Sequence, residues 1–232
     1  MKRRHMKVVA PLVLAFAAIG VAGAATVLSQ AANARTDLAG GERISAAEEA
    51  TVREPRRGKP TEPAADAVIT AHARTTVAGE TWKIVSYRAK SGALCAGVTW
   101  PGEGQEMGCA TRNEWFARGP VAVSVGARQA SGQLMTWETF VLSGLADVRR
   151  VQGIELVSTD CSKRDIPIAS SGFFLDVTSS DLIAQGVWPY EVLAYGANGR
   201  VVQRITVKPE PPDTEAARAA GIKAPAVGDE CA

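Results

Sequence analysis

Histidine is nearly absent from this 232-residue chain: His5 lies in a basic N-terminal cluster and His72 is the only other one. A mechanism built on an imidazole base therefore has a single candidate, in a segment with no evident core, where His72 reads as a solvated residue. No Gly-x-Ser-x-Gly elbow, His-Glu-x-x-His helix, phosphate-binding glycine loop or EF-hand loop occurs. Cys-x-x-Cys is also missing, which removes the usual zinc-ligand spacing and the usual redox pair. Excess charge of either sign is lacking too, with 26 Lys+Arg against 24 Asp+Glu, so a strongly basic nucleic-acid binder is excluded. A 46% hydrophobic and 22% charged composition likewise excludes a wholly disordered chain.

What is present falls into unlike segments. Lys2, Arg3, Arg4 and Lys7 precede a run from Val8 to Leu28 that carries no charge for twenty-one residues. Its length suits a membrane-spanning helix, whereas Ala32-Asn33-Ala34 is a small-x-small sequence suited to signal-peptide cleavage. Residues 1–34 are thus a signal peptide or a transmembrane anchor. On either reading the basic flank keeps the N-terminus cytoplasmic and places residues 35–232 outside, secreted or held to the cell membrane by residues 8–28. Arg3-Arg4 is an ordinary basic flank, because His5, Met6 and Lys7 do not supply the apolar pair of a twin-arginine signal. Without the four leading cations the remaining chain holds 22 basic and 24 acidic side chains.

Aromatic residues are absent from Arg35 to Glu80, a stretch rich in Ala, Glu, Arg, Thr and Pro. Such a composition buries little apolar surface, so residues 35–80 are expected to be a disordered stalk, with short helices possible at Ser45–Arg53 and Ala64–Ala73. From Thr81 the character changes. Twelve of the thirteen aromatic residues lie between Trp82 and Tyr195, in short Val-, Ile- and Thr-rich segments bounded by turn residues. This pattern predicts an all-β domain over 81–208, an antiparallel β-sandwich, with a loose tail at 209–232.

The expected strands are 82–88, 94–100, 106–110, 121–126, 136–143, 150–158, 164–169, 173–177, 190–195 and 201–207. Asn198-Gly199 marks a tight hairpin between the last two, and Pro101-Gly102-Glu103-Gly104 a second one between Leu94 and Ala110. The short spacing between strands argues against a doubly wound fold.

Cys95, Cys109, Cys161 and Cys231 are even in number and lie in the exported part, where disulfides are the default. Four cysteines allow three pairings. Cys95 and Cys109 stand on the two arms of the expected hairpin, which favours Cys95–Cys109 and leaves Cys161 to capture the tail through Cys231.

Three aromatic groups stand near expected loops: Trp100, Trp115-Phe116, and Trp188-Pro189-Tyr190. Gathered at one end of a sandwich, Trp100, Trp115, Trp188 and Tyr190 would make a stacking platform for a glycan or a protein; otherwise they close the ends of the core. Asp176, Asp181 and Glu191 sit near strand ends, where two of them would serve a hydrolase as acid and base if they converged. Arg149-Arg150, Lys163-Arg164 and Arg56-Arg57-Lys59 read as solvated surface, with contact to anionic wall polymer or lipid as the lesser alternative.

The segments Gly92-Ala93-Leu94-Cys95-Ala96-Gly97-Val98, Gly108-Cys109, Leu145 to Val151, Phe173-Phe174 and Ala194 to Val202 together resemble small exported actinobacterial proteins of unassigned function. The resemblance covers about Trp82–Val207. It implies an immunoglobulin-like sandwich behind a signal or anchor and supports the Cys95–Cys109 link, but implies no activity. The expected function is a non-catalytic extracytoplasmic module that binds an envelope protein or glycan. It uses no cofactor, metal or nucleic acid, and meets membrane only through its N-terminal segment. An envelope hydrolase with paired carboxylates and a purely structural spacer or accessory subunit are the alternatives.

Overall fold

The computed structural model describes residues 41–100, 103–129, 137–207 and 231, all within one compact unit, Arg35–Ala232. Five strands, β1 (Glu42–Arg43), β2 (Thr70–Val77), β3 (Glu80–Arg88), β4 (Leu94–Trp100) and β5 (Glu103–Ala110), form a first sheet in sequence order. Strands β6 (Val121–Gln129), β7 (Trp137–Ala146), β8 (Gly153–Ser158), β9 (Lys163–Ile166), β10 (Phe173–Thr178), β11 (Pro189–Tyr195) and β12 (Val201–Thr206) form two more. Their orders are β10-β7-β6 and β12-β11-β8-β9. Every described pairing is antiparallel.

Burial shows how the sheets stack. Every residue from Thr139 to Ala146 is buried, without the alternation of a strand that has one wet face. The reason is that the β10-β7-β6 sheet is covered on both sides. Leu142, Ala146, Val121 and Phe174 pack with Ile154, Leu156 and Val192 of the β12-β11-β8-β9 sheet. On the opposite side Phe173 stacks on His72 of β2, and Arg128 of β6 bonds Glu80 of β3. The expected two-layer sandwich therefore carries an additional five-stranded layer.

The stalk is the main correction. Residues 41–80 are folded into this unit: helix α1 (Ala46–Arg53) and strand β2 both contribute to a core of Ile44, Val52, Ile69, Ala71, Val85 and Tyr87. Ser45 caps α1 in a capping box with Glu48, and Lys83 of β3 reaches Glu48 at 2.6 Å. The helix expected at Ala64–Ala73 is instead a turn leading into β2, whose inward positions Ala71, Ala73 and Thr75 are all buried. Small side chains let β2 lie close to β10, so the segment needs no aromatic residue to join the core.

Both disulfides are present: Cys95–Cys109 between directly opposed residues of β4 and β5, and Cys161–Cys231 across 70 residues of sequence. Among the described residues no helix is long and apolar enough to cross a membrane. The expected signal or anchor, and the tail apart from Cys231, lie outside the described residues.

Candidate functional site

Strand register gathers five connections at one end of the unit. Arg88 opposes Leu94, Leu94 opposes Ala110, Val121 opposes Ala146, Phe173 opposes Leu145, and Tyr195 opposes both Gly153 and Val201. The connections following β3, β5, β7, β9 and β11 therefore share this loop end. Helix α2 (Arg112–Trp115), in the β5–β6 connection, is fixed by a capping box between Thr111 and Glu114. Two hydrogen bonds from Thr111 hold the Glu114 carboxyl below the usual carboxylate range.

A groove of about 350 Å³ opens here, between the first sheet and the middle one. Leu145 and Phe173 are buried in its floor, Leu94, Phe116 and Val148 form apolar walls, and Arg112, Arg149, Ser170 and Ser171 supply polar groups. Gly172 makes the approach of Ser170-Ser171 possible. At φ +93° its N–H turns back to the Ala169 carbonyl, and a side chain there would overlap the Ala146 carbonyl. The Gly172 carbonyl accepts a 2.8 Å hydrogen bond from the Ala146 N–H.

The electrostatics of this end are one-sided. Arg112 bonds Asp147 at 3.2 Å and lies over the Phe116 ring. Asp147 also accepts from the Arg149 backbone N–H, and Glu114 is occupied by the helix cap. Arg118, Arg149, Arg150 and Arg200 are exposed and make no ion pair among the described residues. Lys90, in the β3–β4 connection at the same end, pairs with Glu62, and elsewhere Lys83, Arg128, Arg164 and Arg204 each meet a carboxylate. Groove and arginines together suit a ligand that offers negative charge beside an apolar group.

Beneath the floor, His72 stacks on Phe173 with ring centroids 4.5 Å apart, and its Nε2 lies 2.8 Å from Ser86 Oγ. His72 is thus half-buried rather than solvated, and burial pushes its pKa down to about 4. An imidazole kept neutral beneath a ring has no path to a substrate in the groove, so its role is packing.

The tryptophans expected to form one platform are separated. Trp115 donates from Nε1 to the Leu94 carbonyl at one end of β4, whereas Trp100 stands at its other end, about 20 Å away by strand rise. Trp100 packs on the buried Trp82, and Arg128 lies over the Trp82 ring. Trp188 is 7% exposed, packs on Phe140 and donates to the Ile183 carbonyl, so it belongs to the core. Tyr190 is half-buried next to it on β11, far from Trp115.

The three carboxylates lie on different elements. Asp176 on β10 accepts from Arg164 at 3.0 Å, Glu191 on β11 pairs with Arg204 at 2.9 Å, and Asp181 lies in helix α3 (Ser180–Ala184). Among the described residues no group of His, Cys, Asp or Glu is arranged to hold a metal ion. The groove residues Arg112, Leu145, Ser170 and Phe173 carried no motif in the sequence. Arg149-Arg150 did, as a basic pair, but nothing in the sequence showed that Arg118 and Arg200 share its end of the fold. No family model matches the chain, and no curated protein or solved structure matches it either.

Proposed function

We propose that the chain is a non-catalytic module that works outside the cytoplasm and binds a component of the cell envelope through its loop end. The observation that carries this reading is the Arg112–Arg149 groove, flanked by arginines with no carboxylate partner among the described residues. Two disulfides fit an oxidising compartment, and the basic flank and apolar run of residues 1–28 fit export. An immunoglobulin-like description applies to residues 121–207: seven strands in a three-plus-four arrangement whose two sheets share a core, with binding loops at one end. The kinship with exported actinobacterial proteins belongs to the same proposal.

The test is binding of residues 35–232, the unit holding both disulfides and every described core residue, to isolated cell envelopes. Saturable binding that is lost in Arg112→Ser/Arg149→Ser and kept in Trp100→Ala is the expected result. Binding that ignores the arginine changes and fails in Trp100→Ala moves the site to the opposite end and overturns the proposal.

A further inference from the structure

The loop end holds more than a groove. The turn Asp147–Arg150, closed by the Arg150 N–H donating to the Asp147 carbonyl at 2.8 Å, presents Val148 and Arg149 at its apex. The hairpin turn Gly196–Arg200, closed at 2.9 Å, leads directly into Val201 and Val202. These two turns touch: a side chain at Gly196 would lie 3.5 Å from the Arg150 carbonyl, and the Gln152 N–H donates to the Tyr195 carbonyl. Arg118 joins them, since the next residue, Gly119, is packed against Gln203 of β12. Val148, Val201 and Val202 are 44%, 38% and 45% exposed, and only Val68 completes the set of exposed large apolar residues among the described residues.

Exposed valines and arginines without an ion pair among the described residues thus coincide on and beside adjoining turns of one end. Each is unfavourable alone, as wet apolar surface or as mutual repulsion. Together they match an interface where aliphatic side chains enter the outer acyl region and guanidiniums bind phosphate. We infer that this end docks on an anionic phospholipid surface, with Val148, Val201 and Val202 entering the interface and Arg118, Arg149, Arg150 and Arg200 contacting lipid phosphates. This rests on the binding module proposed above and names its envelope component. It departs from the sequence expectation that only the N-terminal segment meets membrane.

An acidic protein is the competing occupant, and the surface suits it less. Protein hot spots are usually aromatic or arginine anchors in a packed centre. Here the apolar groups are aliphatic and divided between a turn apex (Val148) and the start of β12 (Val201 and Val202), while the aromatic residues of this end, Trp115, Phe116, Phe173 and Tyr195, are half-buried or buried. Dispersed aliphatic groups with cations around them fit a soft planar surface better than a rigid complementary one.

Residues 35–232 are to be sedimented with phosphatidylcholine vesicles, with and without phosphatidylglycerol, over a range of salt. Binding is expected only with phosphatidylglycerol and is expected to weaken as salt rises. Arg149→Ser/Arg150→Ser should lower affinity by roughly thirtyfold, and Val148→Asp should lower it further at constant salt. Arg74→Ser/Lys163→Ser removes the same charge away from these turns and should retain most binding. An equal loss in that control, or no vesicle binding while envelope binding through the same arginines persists, overturns the lipid inference. In the second case the module reading stands and an acidic protein or wall polymer is the component. Loss of both kinds of binding removes both.

Discussion

The side-chain amide of Gln203 pairs with Val121 as a neighbouring strand would. Its Oε1 accepts from the Val121 N–H at 2.8 Å, and its Nε2 donates to the Val121 carbonyl at 3.2 Å. Gln203 belongs to edge strand β12 and Val121 begins edge strand β6, so this contact closes the seam between two sheets next to the loop end. Gly119, at φ +146°, leaves the space the amide occupies. Gln203→Ala strips both partners from a residue that is 3% exposed and should cost about 1–3 kcal/mol. Urea denaturation measures this, and a midpoint equal to wild type would show that water replaces the amide without loss.

Gly144 sits where the middle sheet leaves no room for a side chain. A methyl at this position would overlap the Phe174 ring and the Ala122 carbonyl. Because β7 is buried on both faces, neither neighbour has room to retreat. Gly144→Ala should destabilise by about 1–3 kcal/mol or more, visible as a lower thermal midpoint.

The Cys161–Cys231 link closes 70 residues and ties the chain end to the β8–β9 turn. Chain entropy alone assigns it roughly 4 kcal/mol, against about 3 kcal/mol for the 14-residue Cys95–Cys109 loop. Cys161→Ser/Cys231→Ser should therefore lower stability at least as much as Cys95→Ser/Cys109→Ser. Calorimetry compares the two, and non-reducing peptide mapping verifies the pairs.

His72 gives stability a pH dependence of known sign. Burial lowers its folded pKa from 6.5 to about 4, so the proton binds the unfolded chain more tightly. Its contribution is complete above the unfolded value and is lost as pH falls through the interval between the two. His72→Gln should flatten the fall in thermal midpoint over that interval relative to wild type. Identical slopes in the two proteins would mean that His72 is solvated after all.

The strands from Trp82 onward were legible because their aromatic and β-branched residues are bounded by turn formers. Leu94–Trp100 has the same limits in sequence and structure. Strand β2 was hidden because its buried positions Ala71, Ala73 and Thr75 carry small side chains that give little apolar signal in the sequence. Ile44, Val52 and Ile69 were too far apart in sequence to read as a core, although they meet in the fold. The site was hidden for a related reason. Arg118, Arg149 and Arg200 lie in three separate connections, and only strand register brings them to one end. The tryptophans stood out by type, but type alone does not say that Trp188 faces inward.

Hydrogen exchange of residues 35–232, with and without cell envelopes, tests the assignment of the loop end most directly. The account predicts protection concentrated in residues 147–152 and 196–202, with the connections at the opposite end, such as 178–188, unchanged. Protection confined to 178–188, with the arginine turns exchanging as in the free protein, would contradict it.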